Sequence, residues 1–194
     1  MTAIALVHGR THVRTIAALL AAGALLLVAN PTQANAAPCP GSDAAPSART
    51  LNVAAGAIVC LVNVHRSTHG LRRLTVNADL AHAAGRHSRD MVRRAFFAHV
   101  TPTGTSPSQR IRGTGYTRGF PTWSVGEDLA WGSGSLSTPD ATVAAWIASP
   151  AHNRVLLDTH FREVGVGIAV GVPVATAGTP KGATYTLDSG ATRH

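Results

Sequence analysis

Apolar residues recur at helical spacing in NVAAGAIVCLVNVHRS, residues 52–67, where Val53, Ala57, Cys60, Leu61 and Val64 share one face. Gly70 marks the end of that helix, and Leu71 and Leu74 turn back toward the core. A second helix is expected from Asn77, a good N-cap. Its inward stripe is Leu80, Ala84, Met91 and Val92, its arginines (Arg86, Arg89, Arg93, Arg94) point mostly outward, and it ends near Phe96 and Phe97. After the turn-rich AHVTPTGTSP, Ser106-Pro107 caps a short helix, SPSQRIRG. Thr138-Pro139-Asp140 opens another, with Val143, Trp146 and Ile147 inward; Pro150 interrupts it, and AHNRVLLD follows as a turn or short helix. The pattern then changes to alternation, with Val164, Val166 and Ile168 in FREVGVGIAVG, followed by ATYTLDSG. These read as two strands joined by a Gly/Pro-rich connection. Helices first and strands last predict an α+β fold with an antiparallel sheet.

The first residues belong to a different pattern. Residues 1–15 carry Arg10 and Arg14 and no acid, residues 16–29 are an unbroken apolar run of 14, and Ala34-Asn35-Ala36 supplies an A-x-A end. That arrangement predicts a secretory signal peptide over 1–36. The run is shorter than the roughly 20 residues a bilayer span needs, which disfavours an uncleaved anchor, the alternative. The expected organisation is therefore signal peptide 1–36, a Pro/Ala-rich segment 37–51 and one domain over 52–194.

Charge and cysteines narrow the function classes. Loss of Arg10 and Arg14 takes the formal net charge from +8 to +6. The basic residues are almost all arginine and are scattered, with no basic-aromatic stripe, so specific nucleic-acid recognition is not expected. Cys39 and Cys60 are the only cysteines. Neither lies in a CxxC or beside a base, and an even count in an exported chain predicts one structural disulfide tethering the N-terminal segment to the first helix. His65 and His69 have metal-ligand spacing without the glutamate of HExxH and read as surface. Ser124 and Ser149 lie in no nucleophile turn.

Glu127 and Asp128 stand together in SVGEDLAWG, an extended segment. Side chains of adjacent strand residues point to opposite faces, so the two cannot form a dyad. One is expected inward and the other toward solvent or a backbone donor. A buried glutamate needs a hydrogen-bonding or charged partner, and His99, after Phe96 and Phe97, is a candidate. His152 follows the break at Pro150, and His160 stands at the entry to the first C-terminal strand.

Four pieces occur in order: LVNVHRSTHGLRRLTVNADLAHAAGRHSRDM, FFAHVTPTG, VGEDLAWG and WIASPAHNRVLLDTHFREVGVG. Together they resemble the bacterial, SCP-like extracellular branch of the CAP superfamily (cysteine-rich secretory, antigen 5 and pathogenesis-related 1 proteins), from about Ile58 onward. The resemblance implies an α-β-α sandwich with a central antiparallel sheet and a His/Glu-lined cleft. Its F-x-H motif falls on His99, its G-E-N-[IL]-A motif on Glu127 and its S-P-x-H-R motif on His152, while HFRE places His160 at the histidine of the eukaryotic branch. Asp128 departs from the usual asparagine, and Asn153 stands where arginine is common. His99, His152 and His160 with the carboxylate have the chemistry to hold zinc or another divalent metal.

Two functions compete. One is a secreted, extracellular binding module, monomeric and at most peripheral to a membrane, for an envelope lipid, cell-wall material or a protein ligand. The other is a secreted hydrolase or peptidase in which Glu127 or His99 activates water, with or without metal.

Overall fold

The computed structural model describes residues 39–174 and 181–193. The expected signal peptide and part of the connection between the last two strands lie outside the described residues.

Among the described residues five helices and four strands alternate in blocks rather than in βαβ units. In chain order they are α1 (Leu51–Thr68), β1 (Thr75–Val76), α2 (Ala78–Arg94), α3 (Pro107–Arg112), β2 (Thr122–Ser133), α4 (Pro139–Ala148), α5 (Pro150–Leu156), β3 (Glu163–Val170) and β4 (Gly182–Arg193). A 3-10 turn, Gly134–Ser137, links β2 to α4. The caps explain most of the helix starts. Asn77 accepts from the backbone N–H groups of Asp79 and Leu80, Ser106 forms a full capping box with Gln109, and Thr138 accepts from the Ala141 N–H. α2 stops at Arg94, short of Phe96 and Phe97, because Ala95 adopts the left-handed conformation (φ 52°) and closes the last turn on Met91.

The sheet order is β1-β3-β4-β2. The three long strands are antiparallel, and the two-residue β1 adds a parallel edge against β3, so the sheet is mixed rather than purely antiparallel. Helices cover both faces. On one face Val164, Val166 and Ile168 of β3 and Tyr185 and Leu187 of β4 meet Ile58 and Val62 of α1 and Val143 and Trp146 of α4 in the main core. Trp146 also donates its indole N–H to the Leu129 carbonyl of β2 (3.0 Å). The inward face of α1 is Ala54, Ala57, Ile58, Val62, Asn63 and Arg66 rather than the stripe through Val53, which is exposed. Arg66 sits inward because its guanidinium donates to the carbonyls of Arg72, Leu156 and Asp158, offsetting the cost of burial.

On the opposite face α2 lies against the backbone of β3. A Cβ at Gly165 would fall 2.0 Å from the Ala81 nitrogen, and one at Gly167 2.1 Å from the Gly85 nitrogen. Only glycine permits that approach. It lets the Ser88 hydroxyl reach the Gly167 carbonyl (3.0 Å) and Thr186 (2.8 Å). Cys39 and Cys60 form the expected disulfide, fastening the N-terminal segment to α1.

Candidate functional site

β2 is paired over twelve residues, and its register decides where the two adjacent acids go. Glu127 stands opposite Asp188 of β4 and Asp128 opposite Leu187. Cross-strand partners share a face, so Glu127 and Asp188 lie on the α2 side and Asp128 faces the main core.

The Glu127 side chain is only 2% exposed, and both of its oxygens are engaged. His99 donates Nδ1–H to Oε1 at 2.8 Å, and the Arg110 guanidinium donates to Oε2. Burial raises the carboxyl pKa, but the His99 hydrogen bond and the charges of Arg110 and His87 outweigh it and leave the group below the ordinary glutamate value. Arg110 has a second task. It donates to the carbonyls of His99 (2.8 Å) and Thr105 (3.1 Å), so one guanidinium holds Glu127 and the loop that carries His99. The capping box of α3 fixes the helix from which Arg110 projects. With Nδ1 spent on Glu127, the His99 ring, about half exposed (53%), presents Nε2 outward.

Three further buried groups surround this pair. His87 of α2 donates Nε2–H to the Ala98 carbonyl (3.0 Å), which fixes its tautomer, and its buried Nδ1 has no partner. Burial lowers its pKa. Asp188 is buried beside the charge of Glu127, and neither of its oxygens finds a donor. Burial and then that charge hold Asp188 well above the usual carboxylate range. On the other face Asp128 is 1% exposed, its Oδ2 is without a partner, and burial followed by the Glu127 charge pushes its pKa up to about 8. Asp128 therefore turns neither to solvent nor to a backbone donor, a correction to the expectation from alternation alone. Alternation names the face, and here helices cover both.

The candidate histidines do not all converge. His152, on α5, is partly buried; burial and then the nearness of His99 lower its pKa. His160 is elsewhere. It is exposed, bonds Asp158 through its backbone N–H (2.7 Å) and its ring (2.9 Å), and lines a separate shallow depression with Trp123 and Arg193. His65 is not free surface, since its Nε2 donates to Asn153 of α5 at 2.8 Å. Among the described residues no three His, Cys, Asp or Glu side chains converge as a metal-binding group. His160 thus does not join His99 and His152.

Sequence reasoning did not single out Arg110, His87 or Asp188. His87 had a signal, because it continues the stripe Leu80, Ala84, His87, Met91 at helical spacing. Asp188 had a weaker one, an acid in the middle of an alternating strand. Arg110 had none, since its role depends on two segments that meet only in the fold.

The buried glutamate in G-E-D-L-A, held by the F-x-H histidine, coincides with a match to the family profile described as "CAP: Cysteine-rich secretory protein family" over residues 59–173. The chain belongs to that family. The CAP domain here is 33% identical over 110 residues to the uncharacterized protein YkwD of Bacillus subtilis, covering 57% of this chain and 40% of that protein. The chain spans less than half the length of the curated relatives it matches. A crystal structure of an extracellular SCP-domain protein from Bacillus anthracis is 29% identical (TM-score 0.57), covering 72% of this chain and 40% of that one. An outer surface protein of Borrelia burgdorferi shares the fold at 21% identity (TM-score 0.56), over 70% of this chain and 90% of its own. No helix among the described residues of this CAP domain is long and apolar enough to cross a membrane.

Proposed function

We propose that this chain is a secreted CAP-domain binding module for an envelope component, whether lipid, cell-wall material or protein, recognised at the surface that presents His99. One observation carries the reading: the carboxylate that would have to activate water is already saturated. Glu127 is buried, accepts from His99 and Arg110, and is held below the ordinary glutamate pKa, which makes it a weak base with no free edge toward a substrate. Among the described residues no hydroxyl or thiol bonds the His99 ring, so no nucleophile is paired with it. Secretion is supported by the composition of residues 1–36, by the disulfide, and by the extracellular and outer-surface nature of two structural relatives.

A hydrolytic reading has one feature in its favour. An imidazole whose Nδ1–H is held by a carboxylate and whose Nε2 is open is oriented as a general base. The two readings separate in one experiment on the secreted protein as processed. Retention on isolated cell walls and on lipid vesicles is measured beside turnover of peptide and cell-wall substrates, with and without zinc, for wild type, H99A and E127Q. The binding reading expects saturable retention that weakens in H99A, and no turnover under either condition. Turnover in the wild type that disappears in both variants would overturn it.

A further inference from the structure

A cavity of about 650 Å³ lies between α2 and the loop and helix spanning residues 101–113. It borders the Glu127 cluster and shares Arg110 with it. Arg86, Arg89, Arg93 and Arg94 line its α2 wall, and Asp90 is the single acid among the lining residues. Asp90 is divided between Arg93 and Arg94, at 2.6 Å from each, and Glu127 offsets Arg110. Arg86 and Arg89 have no acidic partner among the described residues and are exposed, one helical turn apart on the same wall. The cavity continues past Gln109 and Gly113 into a second depression that adds Arg112 and Arg118 and no acid. Arginines that sequence reading treats as scattered are thus gathered by the fold into one band.

The lining also states what kind of anion fits. Guanidinium groups present forked donors matched to phosphate oxygens. The facing wall supplies polar groups suited to a sugar or polyol: Thr101, Thr103 and Thr105 from the turn and the Gln109 amide. Bases would need stacking platforms, and the only ring in the lining is the buried His87 imidazole. An acyl chain would need an apolar wall, and Ala83 is the only hydrocarbon side chain there.

We propose that this arginine groove binds a phosphate-bearing glycan, a chain of sugars or polyols joined through phosphate, with Arg86 and Arg89 as its main anion contacts. The inference rests on the reading of the domain as an envelope-binding module and names the ligand class. The phosphates track along α2 past Arg86 and Arg89, and the intervening hydroxyls face the threonine turn.

The test is titration calorimetry of the secreted protein with polyglycerol phosphate, neutral dextran, oligothymidylate, and vesicles of phosphatidylglycerol and phosphatidylcholine. R86E/R89E is compared with R72E/R73E, which makes the same charge change at exposed arginines outside the groove. Polyglycerol phosphate is expected to bind saturably, and neutral dextran not to bind. Affinity should fall at least about tenfold in R86E/R89E and less than about twofold in R72E/R73E, with a wild-type salt slope steeper than that of R86E/R89E. Equal losses in the two double variants would reduce the effect to net charge and overturn the proposal. Equal or tighter binding of oligothymidylate or of the vesicles would overturn the glycan assignment. If polyglycerol phosphate fails to bind while cell walls still retain the protein through His99, the groove assignment falls and the binding module stands; failure of both removes both. Matching melting temperatures for the two double variants guard against misfolding, since all four side chains are exposed.

Discussion

The two faces of this sheet are built on opposite principles. The face under α1 and α4 is a continuous apolar core, Ile58, Val62, Trp146, Val164, Tyr185 and Leu187 among its members. The face under α2 has a much smaller apolar cluster of Leu80, Ala83, Ile111 and Tyr116, and its interior also holds polar contacts: Ser88 on Thr186, Tyr116 on Glu163, and Glu127 with His99 and Arg110 beside Asp188. Apolar burial is the dominant favourable term in folding, so the first face supplies most of the stability. The second can then hold buried ionisable groups, each of which costs free energy unless it is paired. The same sheet is anchored from one side and carries the candidate site on the other.

The largest effect should come from forcing α2 away from the sheet. G165V would put a Cβ 2.0 Å from the Ala81 nitrogen, against backbone that cannot step aside. A loss of more than about 4 kcal/mol is expected, enough to unfold a marginally stable domain, read by chemical denaturation. G56A in α1, where a Cβ meets nothing within 4 Å, should be neutral or gain up to about 1 kcal/mol. If G165V folds normally, the close contact is not what builds the polar face. Next comes the apolar anchor: W146A removes a buried indole and its bond to Leu129, at an expected cost of about 3–5 kcal/mol. A cost below that of E127Q would reverse the division of labour between the faces.

E127Q probes the polar face directly. Replacing the carboxylate weakens two charge-assisted bonds and leaves the partly buried Arg110 without its counter-charge, an expected cost of about 1–3 kcal/mol at neutral pH. The sign with pH follows from the lowered pKa of Glu127. Its stabilisation is present above the unfolded value of 4.5 and is lost as pH falls through the folded one. Wild type and E127Q should therefore converge in denaturant midpoint in acid. A gap that persists unchanged there would mean that Glu127 acts through shape rather than charge.

The legibility of these features in the sequence tracks how local their causes are. Helix starts at Asn77, Ser106 and Thr138 were readable because a cap is a contact over three residues. The end of α2 was not, because Ala95 takes a left-handed conformation for which the sequence carries no glycine signal. The full length of β2 was not legible either, because Gly126 and Gly132 interrupt its pattern. In the fold those glycines make room for the Phe161 ring and the Leu136 backbone, and the strand continues through them. His99 and Glu127 stood out through the motifs around them. Arg110 and Asp188 reach the same site only through the α3 and β4 placements, which no local pattern encodes.

The sharpest contrast lies within one dipeptide. Asp128 is the neighbour of Glu127, yet burial among apolar groups and then the Glu127 charge push its pKa up to about 8. Between the unfolded value of 3.8 and that folded value the native state binds a proton that the unfolded chain has released. Stability contributed by this site therefore declines as pH rises through that window, opposite in sign to Glu127. Asp188, raised by burial and by Glu127, pulls in the same direction as Asp128. D128N cannot ionise, so its denaturant midpoint should fall less steeply than that of wild type between about pH 5 and about pH 7. The difference in slope is bounded by one proton, about 1.4 kcal/mol per pH unit, and Asp188 keeps the remainder. D188N in the D128N background should flatten the curve further. If D128N leaves the slope untouched, then Asp128 is ionised in the fold, and the apolar face contains a charge that its partners do not explain.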